Sequence, residues 1–147
     1  MALITDAGSG IGAGCCALEF IAQGWNVALN FIDPAMSAAI EGIRMAAQQR
    51  RRDVLSLRGD VGRDDDCHAI AASALEAFGR IDASINYAGI TNSTALDDLD
   101  ALRPEDFHCV YGVTGGCGTH DICDCHRDAA DRWRNHFTRC RISPQCR

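Results

Sequence analysis

The run Thr5-Asp6-Ala7-Gly8-Ser9-Gly10-Ile11-Gly12 sets glycines at alternating positions in a short turn. Glycine lets the backbone come close to a pyrophosphate, and free N–H groups at a helix N-terminus stabilise that charge. The motif therefore points to a dinucleotide held by the main chain, provided that a strand precedes it and a helix follows. A second chemistry-bearing group lies late in the chain, where Cys117, His120, Cys123, Cys125 and His126 crowd together and His136 and Cys140 follow. Thiolates and imidazoles of this kind can organise a zinc ion, but the spacing matches no standard two-knuckle pattern and no metal site is assigned to it. All fourteen basic residues are arginine. Any chemistry that needs an ammonium side chain is thereby excluded.

The glycine turn has the flanks it needs. Residues 2–5 read as a strand, and a helix with Ile11, Cys15, Leu18 and Ile21 on its inner face follows, closed by Gly24. Residues 27–29 make a second strand. Asp33-Pro34 then supplies an N-cap and first-turn pair for a helix with Met36, Ala39, Ile40, Ile43 and Ala47 inward. Residues 54–57 are a third strand. Asp64-Asp65-Asp66 sets negative charge at the positive end of a helix that carries Ile70, Ala74, Leu75 and Phe78 and stops at Gly79. Residues 81–85 form a fourth strand, and residues 96–113 read as helix broken near Arg103-Pro104. Strands alternating with helices in this way predict an α/β fold with a parallel sheet. Arg50-Arg51-Arg52 falls at a helix C-terminus, where cations complement the dipole, and reads as a solvated face rather than a phosphate site.

Three further motifs arrive in order: Asp60-Val61 after the third strand, Phe78-Gly79-Arg80-Ile81-Asp82 leading into the fourth, and Asn86-Tyr87-Ala88-Gly89 after it. With the glycine turn, which fits T-G-x-x-x-G-x-G at all but one position, they make residues 1–113 resemble the short-chain dehydrogenase/reductase family of classical type. The look is nearest to its 3-oxoacyl-carrier-protein reductase-like members. The resemblance implies a Rossmann-like doubly wound parallel sheet of about four βα units, and a nicotinamide dinucleotide as partner. It implies cofactor contacts from Gly8, Ser9, Gly10, Ile11 and Gly12 in the turn, Phe31 at the end of the second strand, Asp60 and Val61 beside the adenine, and Asn86, Ala88 and Gly89 along the adenosine side.

Two departures bear on that site. Asp6 stands at the first family glycine; it tolerates an unusual backbone angle but brings a carboxylate toward the phosphates, which should weaken cofactor binding. Tyr87 replaces the second family asparagine, a milder change at a supporting position. The choice between NAD and NADP turns on the end of the second strand, Asn30-Phe31-Ile32-Asp33. Phe31 stands where an NAD-selecting acid is expected and Asp33 caps a helix, so the choice stays open with a lean to NADP.

The family reaction moves a hydride between nicotinamide and a small carbonyl or alcohol substrate, using serine, tyrosine and lysine in Y-x-x-x-K. This chain has only Tyr87 and Tyr111 and no lysine, and the family's V-N-L-x-G helix segment is met by Val113-Thr114-Gly115-Gly116. The resemblance stops there, and no catalytic residue is assigned. Beyond Val113 the aliphatic side chains thin out, so residues 114–147 are expected to pack poorly or stay disordered. A shift of reading frame would account for the break: permitted codons for residues 131–137, read one nucleotide later, can yield I-G-G-G-I-I, similar to the family strand before its serine. The expected function is accordingly that of a truncated NAD(P)-dependent short-chain oxidoreductase lacking catalysis of its own. The alternative is a non-catalytic nucleotide-binding or zinc-tailed interaction module.

The bulk numbers fit one domain. At 147 residues, a net charge of −6 and a pI near 5.2, the chain offers no basic patch for nucleic acid or an anionic membrane. No apolar run reaches the roughly 20 residues of a spanning helix and no secretion signal is seen, so the expectation is cytoplasmic, with the nine cysteines reduced. Family members associate as homo-oligomers through later helices that this sequence does not encode, which sets the same association in doubt here.

Overall fold

Strands covered by helices on both faces carry near-continuous apolar runs, because neither side meets water. Among the described residues there are four of these, β1 (Ala2–Ile4), β2 (Val27–Phe31), β3 (Val54–Arg58) and β4 (Ala83–Ile85). The computed structural model describes residues 1–114 apart from Asn92 and Leu96, so the Cys/His cluster and the region of the proposed frameshift lie outside the described residues. The strands form one parallel sheet in the order β3-β2-β1-β4, with Leu3 opposite Ala28 and Ser84, and Ala28 opposite Leu55. This is the doubly wound α/β arrangement that the alternation of elements predicted.

The pleat divides the core in two. Ala2, Ile4, Val27 and Leu29 point to one face, where Ile21, Ile40, Ile43 and Ala47 cover them. Leu3 and Ala28 point to the other and meet Cys67, Ile70, Ala74 and Ile81. Fully buried side chains such as Leu3, Ile4, Val27 and Leu29 each contribute roughly 1.5–3 kcal/mol of burial. Among the described residues, no helix is long and apolar enough to cross a membrane.

On the first face lie a π-helical segment (Gly12–Ala17) that runs into α1 (Leu18–Ala22), and α2 (Ser37–Gln49). The inner stripe of the first of these differs from the one expected. Ile11 is 50% exposed, Leu18 is 38% exposed and Cys15 lies outside, whereas Ala13, Ala17 and Ile21 are buried. Two causes combine. The i→i+5 pattern widens the turn and shifts the face, and a helix lying close on the sheet needs small residues where bulky ones would hold it off. Gly24 ends the helix at φ +86° as its type suggested. The amides of Gly24 and Trp25 donate to the carbonyls of Ile21 and Phe20 at 3.0 and 2.9 Å.

Before α2, the Asp33 carboxylate accepts the Ala35 amide at 2.8 Å, and a 3-10 turn (Pro34–Met36) leads in, so Asp33 caps as expected. Ile40, Ile43 and Ala47 face inward, but Ala39 is exposed and Met36 is only half-buried. The 3-10 turn accounts for Met36, since it winds more tightly than an α-helix and a residue counted back at 3.6 per turn falls off the stripe; Ala39 lies within α2, at the exposed edge of its inner face. Arg50, Arg51 and Arg52 follow α2 and are all exposed, with the last two amides closing onto the carbonyls of Gln48 and Ala47.

On the second face α3 (Asp64–Phe78) begins with three aspartates and ends at Gly79, φ +73°. Asp66 accepts the amide of Asp60 at 2.8 Å and so ties the helix start to the end of β3. Of the helix expected over residues 96–113, only the part from Pro104 forms: a 3-10 turn (Leu99–Ala101) precedes α4 (Pro104–Thr114), because proline is favoured in a helix's first turn and disfavours helix before it, and Asp106 fixes that first turn by accepting the Arg103 amide at 2.9 Å.

Candidate functional site

In an open parallel sheet, ligands collect outside the C-terminal ends of the strands, at the point where the strand order reverses. Here that point lies between β1, from which the chain winds outward to β2 and β3, and β4 on the other side. The turn after β1 sits there, and its geometry explains its residue types. Asp6 and Gly10 adopt positive φ, +50° and +54°. Gly12 has a different constraint, since a Cβ there would lie 2.5 Å from the carbonyl oxygen of Asp6. The two glycines therefore leave a main-chain turn with no side chain in the way.

Gly8 has a separate reason to be glycine. It is buried, and a Cβ on it would meet Met36 Sδ at 2.2 Å, so Met36 covers its α-carbon. To the cofactor contact that the family resemblance implies for Gly8, the structure adds a packing role. Ser9, Gly10 and Ile11 are exposed on the turn, and Gly12 is buried at the helix start.

Beside the turn, an open cleft with about 420 Å³ of empty space gathers five of the sequence-predicted site residues, Phe31, Asp60, Val61, Ala88 and Gly89. Asp6, Asn30, Ile32, Gly59, Ile90 and Val113 complete its lining. Asn86 is not among these; half-buried, it accepts the Ser84 hydroxyl at 3.1 Å and shapes the segment that leads to Ala88. Asp60 has a dual position. It lines the cleft, and its carboxylate also accepts the Gly62 amide at 2.9 Å in a local turn.

Two buried polar residues hold the cleft together, and neither was singled out from sequence for this role. Asn30, 2% exposed, donates through Nδ2 to the carbonyls of Gly59 at 2.9 Å and Leu57 at 3.3 Å, and its own carbonyl accepts the Ala7 amide at 2.8 Å. It thereby joins the ends of β1, β2 and β3. Thr5, fully buried, accepts the amides of Tyr87 at 2.9 Å and Ala88 at 3.0 Å through Oγ1. That clamp fixes the wall formed by Ala88 and Gly89 against the glycine turn. A buried polar residue at the end of an apolar strand was the available signal, because such a group is retained only when its hydrogen bonds are met.

The charge in the cleft is one-sided. Among the described residues, Asp6 and Asp60 line it and no arginine or histidine does. Partial burial pushes the Asp6 carboxyl above its usual value, since removal from water disfavours the charged form.

Comparison with known proteins places these features. The family model described as Enoyl-(Acyl carrier protein) reductase matches residues 7–117. A glucose and ribitol dehydrogenase of Daucus carota is 31% identical over 110 residues, covering 71% of this chain and 38% of that protein. The 3-oxoacyl-[acyl-carrier-protein] reductase FabG of Staphylococcus aureus is 28% identical over 122 residues, covering 77% of this chain and 48% of its own length. Among solved structures, a putative short-chain dehydrogenase/reductase from Burkholderia xenovorans superposes with a TM-score of 0.77 at 30% identity, over 87% of this chain and 51% of that one. The chain therefore spans about half or less of each of these relatives.

Proposed function

The chain belongs to the short-chain dehydrogenase/reductase family, and from that membership we propose that it binds a nicotinamide dinucleotide in the Asp6–Asp60 cleft without carrying hydride transfer by itself. The observation that carries this reading is the convergence of Gly10, Gly12, Phe31, Asp60, Val61, Ala88 and Gly89 around one cleft and its adjoining turn. Gly10 leaves open space for a pyrophosphate at the turn, and Gly12 lets the helix start pack against the Asp6 carbonyl. Asp60, Val61 and Ala88 stand where an adenine would lie, Phe31 stands at the ribose end, and Asn86 supports the segment that leads to Ala88.

The bound cofactor would supply the hydride donor or acceptor of the family reaction. This chain's residues supply its binding, but Tyr87 and Tyr111 have no lysine four residues on and the chain contains none at all. A carbonyl substrate would thus lack the acid that must protonate its oxygen as hydride arrives. The names of the relatives favour small alcohols, sugars or acyl thioesters as substrates of a complete family member. NADP is favoured over NAD because Phe31 stands where an NAD-selecting acid is expected, and the Asp33 carboxylate that follows is engaged in capping the turn before α2 through the Ala35 amide. Apart from Asp6, the residues that line the cleft lie within the described part of the family match, so a zinc-organised tail is not needed for this role.

Calorimetric titration of the full chain with NADPH and NADH, paired with a ketone-reduction assay, tests the reading. The expected outcome is saturable binding with no turnover above the cofactor's own background. Hydride transfer to the ketone, or a folded chain that binds neither nucleotide, would refute it.

A further inference from the structure

We propose that Arg58 is the specificity-determining residue that selects a 2′-phosphorylated adenosine over an unphosphorylated one, an inference that rests on the reading of the cleft as an adenosine site. The argument begins with register. Arg58 is the last residue of β3 and lies opposite Phe31, the last residue of β2, so two strand ends bring a guanidinium beside the aromatic wall of the cleft.

A single hydrogen bond then orients it. Arg58 Nε donates to the carbonyl of Ile32 at 3.3 Å, which turns the side chain across the end of β2, and Ile32 itself lines the cleft. Arg58 is exposed and forms no ion pair with a carboxylate among the described residues, so both Nη groups keep donors for a ligand. The guanidinium fork matches the paired oxygens of a phosphate, and the contact forms at the rim, where the charge stays hydrated until the ligand arrives.

The rest of the site sharpens the choice. Asp6 and Asp60 make the interior of the cleft unfavourable to a second anion, so an added phosphate can only be stabilised outside it. The rim above Phe31 and Ile32 is that place. At the end of β2 itself the acid, Asp33, is taken up in capping through the Ala35 amide and no base is present; the cation comes from the neighbouring strand.

Adenosine 2′,5′-bisphosphate and 5′-AMP separate the possibilities when titrated calorimetrically into the full chain. Wild type is expected to bind the bisphosphate about tenfold more tightly, as one charge-assisted phosphate contact allows. Arg58→Ala should abolish that preference while changing 5′-AMP affinity less than twofold, and Arg58→Lys should keep part of it as a point charge. Circular dichroism of each variant checks that the fold is kept. Equal binding of the two nucleotides by wild type, or a preference that survives in Arg58→Ala, overturns the inference while leaving the adenosine site standing. If neither nucleotide binds, the reading of the cleft fails and the inference fails with it.

Discussion

Asp6→Gly is expected to tighten nicotinamide dinucleotide binding by about tenfold, read as a fall in Kd at neutral pH. Asp6 stands at the head of the glycine turn and lines the cleft, with no hydrogen-bond partner for its carboxylate among the described residues. A carboxylate roughly 5 Å from a phosphate charge at an effective dielectric of about 20 is repelled by about 3 kcal/mol. Relaxation and salt reduce that ceiling to about half, which is the tenfold change.

The backbone effect of the same change is smaller. At φ +50° glycine relieves about 1 kcal/mol of steric strain, but the freer unfolded chain offsets about 0.4–1 kcal/mol of it. Affinity should therefore move more than stability. An unchanged Kd in Asp6→Gly would remove the electrostatic account of this position.

Proton linkage gives the same residue a second signature. Burial raises the Asp6 carboxyl above its usual value, and a cofactor phosphate raises it further, so binding takes up a proton. Affinity in wild type should then rise as pH falls toward the carboxyl's range, and this slope should vanish in Asp6→Gly. The sign for folding is parallel: the penalty for burying the charge is absent below the unfolded value and fully present above the raised folded one.

Thr5→Val is expected to cost about 2–4 kcal/mol of stability, seen as a lower urea midpoint with an unchanged slope. Valine nearly matches the shape of threonine, so the cavity term is small. What is lost is the acceptor for two amides, Tyr87 N–H and Ala88 N–H, at a residue that is fully buried. Each amide left unpaired away from water costs about 1–3 kcal/mol. Thr5→Ser keeps the hydroxyl and should recover most of the loss. A shift below about 1 kcal/mol in Thr5→Val would mean that water reaches those amides and that the clamp is not what fixes the Ala88 wall.

The parts of the fold legible from sequence were those with local causes. Gly24 and Gly79 end helices because only they adopt positive φ there without strain, and both do. Asp33 caps the turn that leads into α2 as its type and place suggested, whereas Pro104, read as a break within a helix over 96–113, is the first residue of α4. The first helix was misread because its stripe depends on the distance to the sheet, which favours Ala13 and Ala17 over the bulkier Ile11 and Leu18.

The site divides along the same line. Phe31, Asp60, Val61, Ala88 and Gly89 stood out as motif residues and share the cleft. Asn30 and Arg58 act across strand ends that lie 27 and 26 residues from their partners Leu57 and Ile32, and only strand order and register bring those ends together. Met36 over Gly8 is a contact of the same non-local kind.

The most direct test of the cleft as the cofactor site is a map of backbone amide shifts in the full chain titrated with NADPH. The account predicts saturable shifts at Gly10, Gly12, Phe31, Asp60, Val61, Ala88 and Gly89. Shifts confined instead to the shallow pocket at the opposite end of the strands, around Trp25, Arg52 and Arg80, or an unperturbed spectrum of a folded chain, would contradict it.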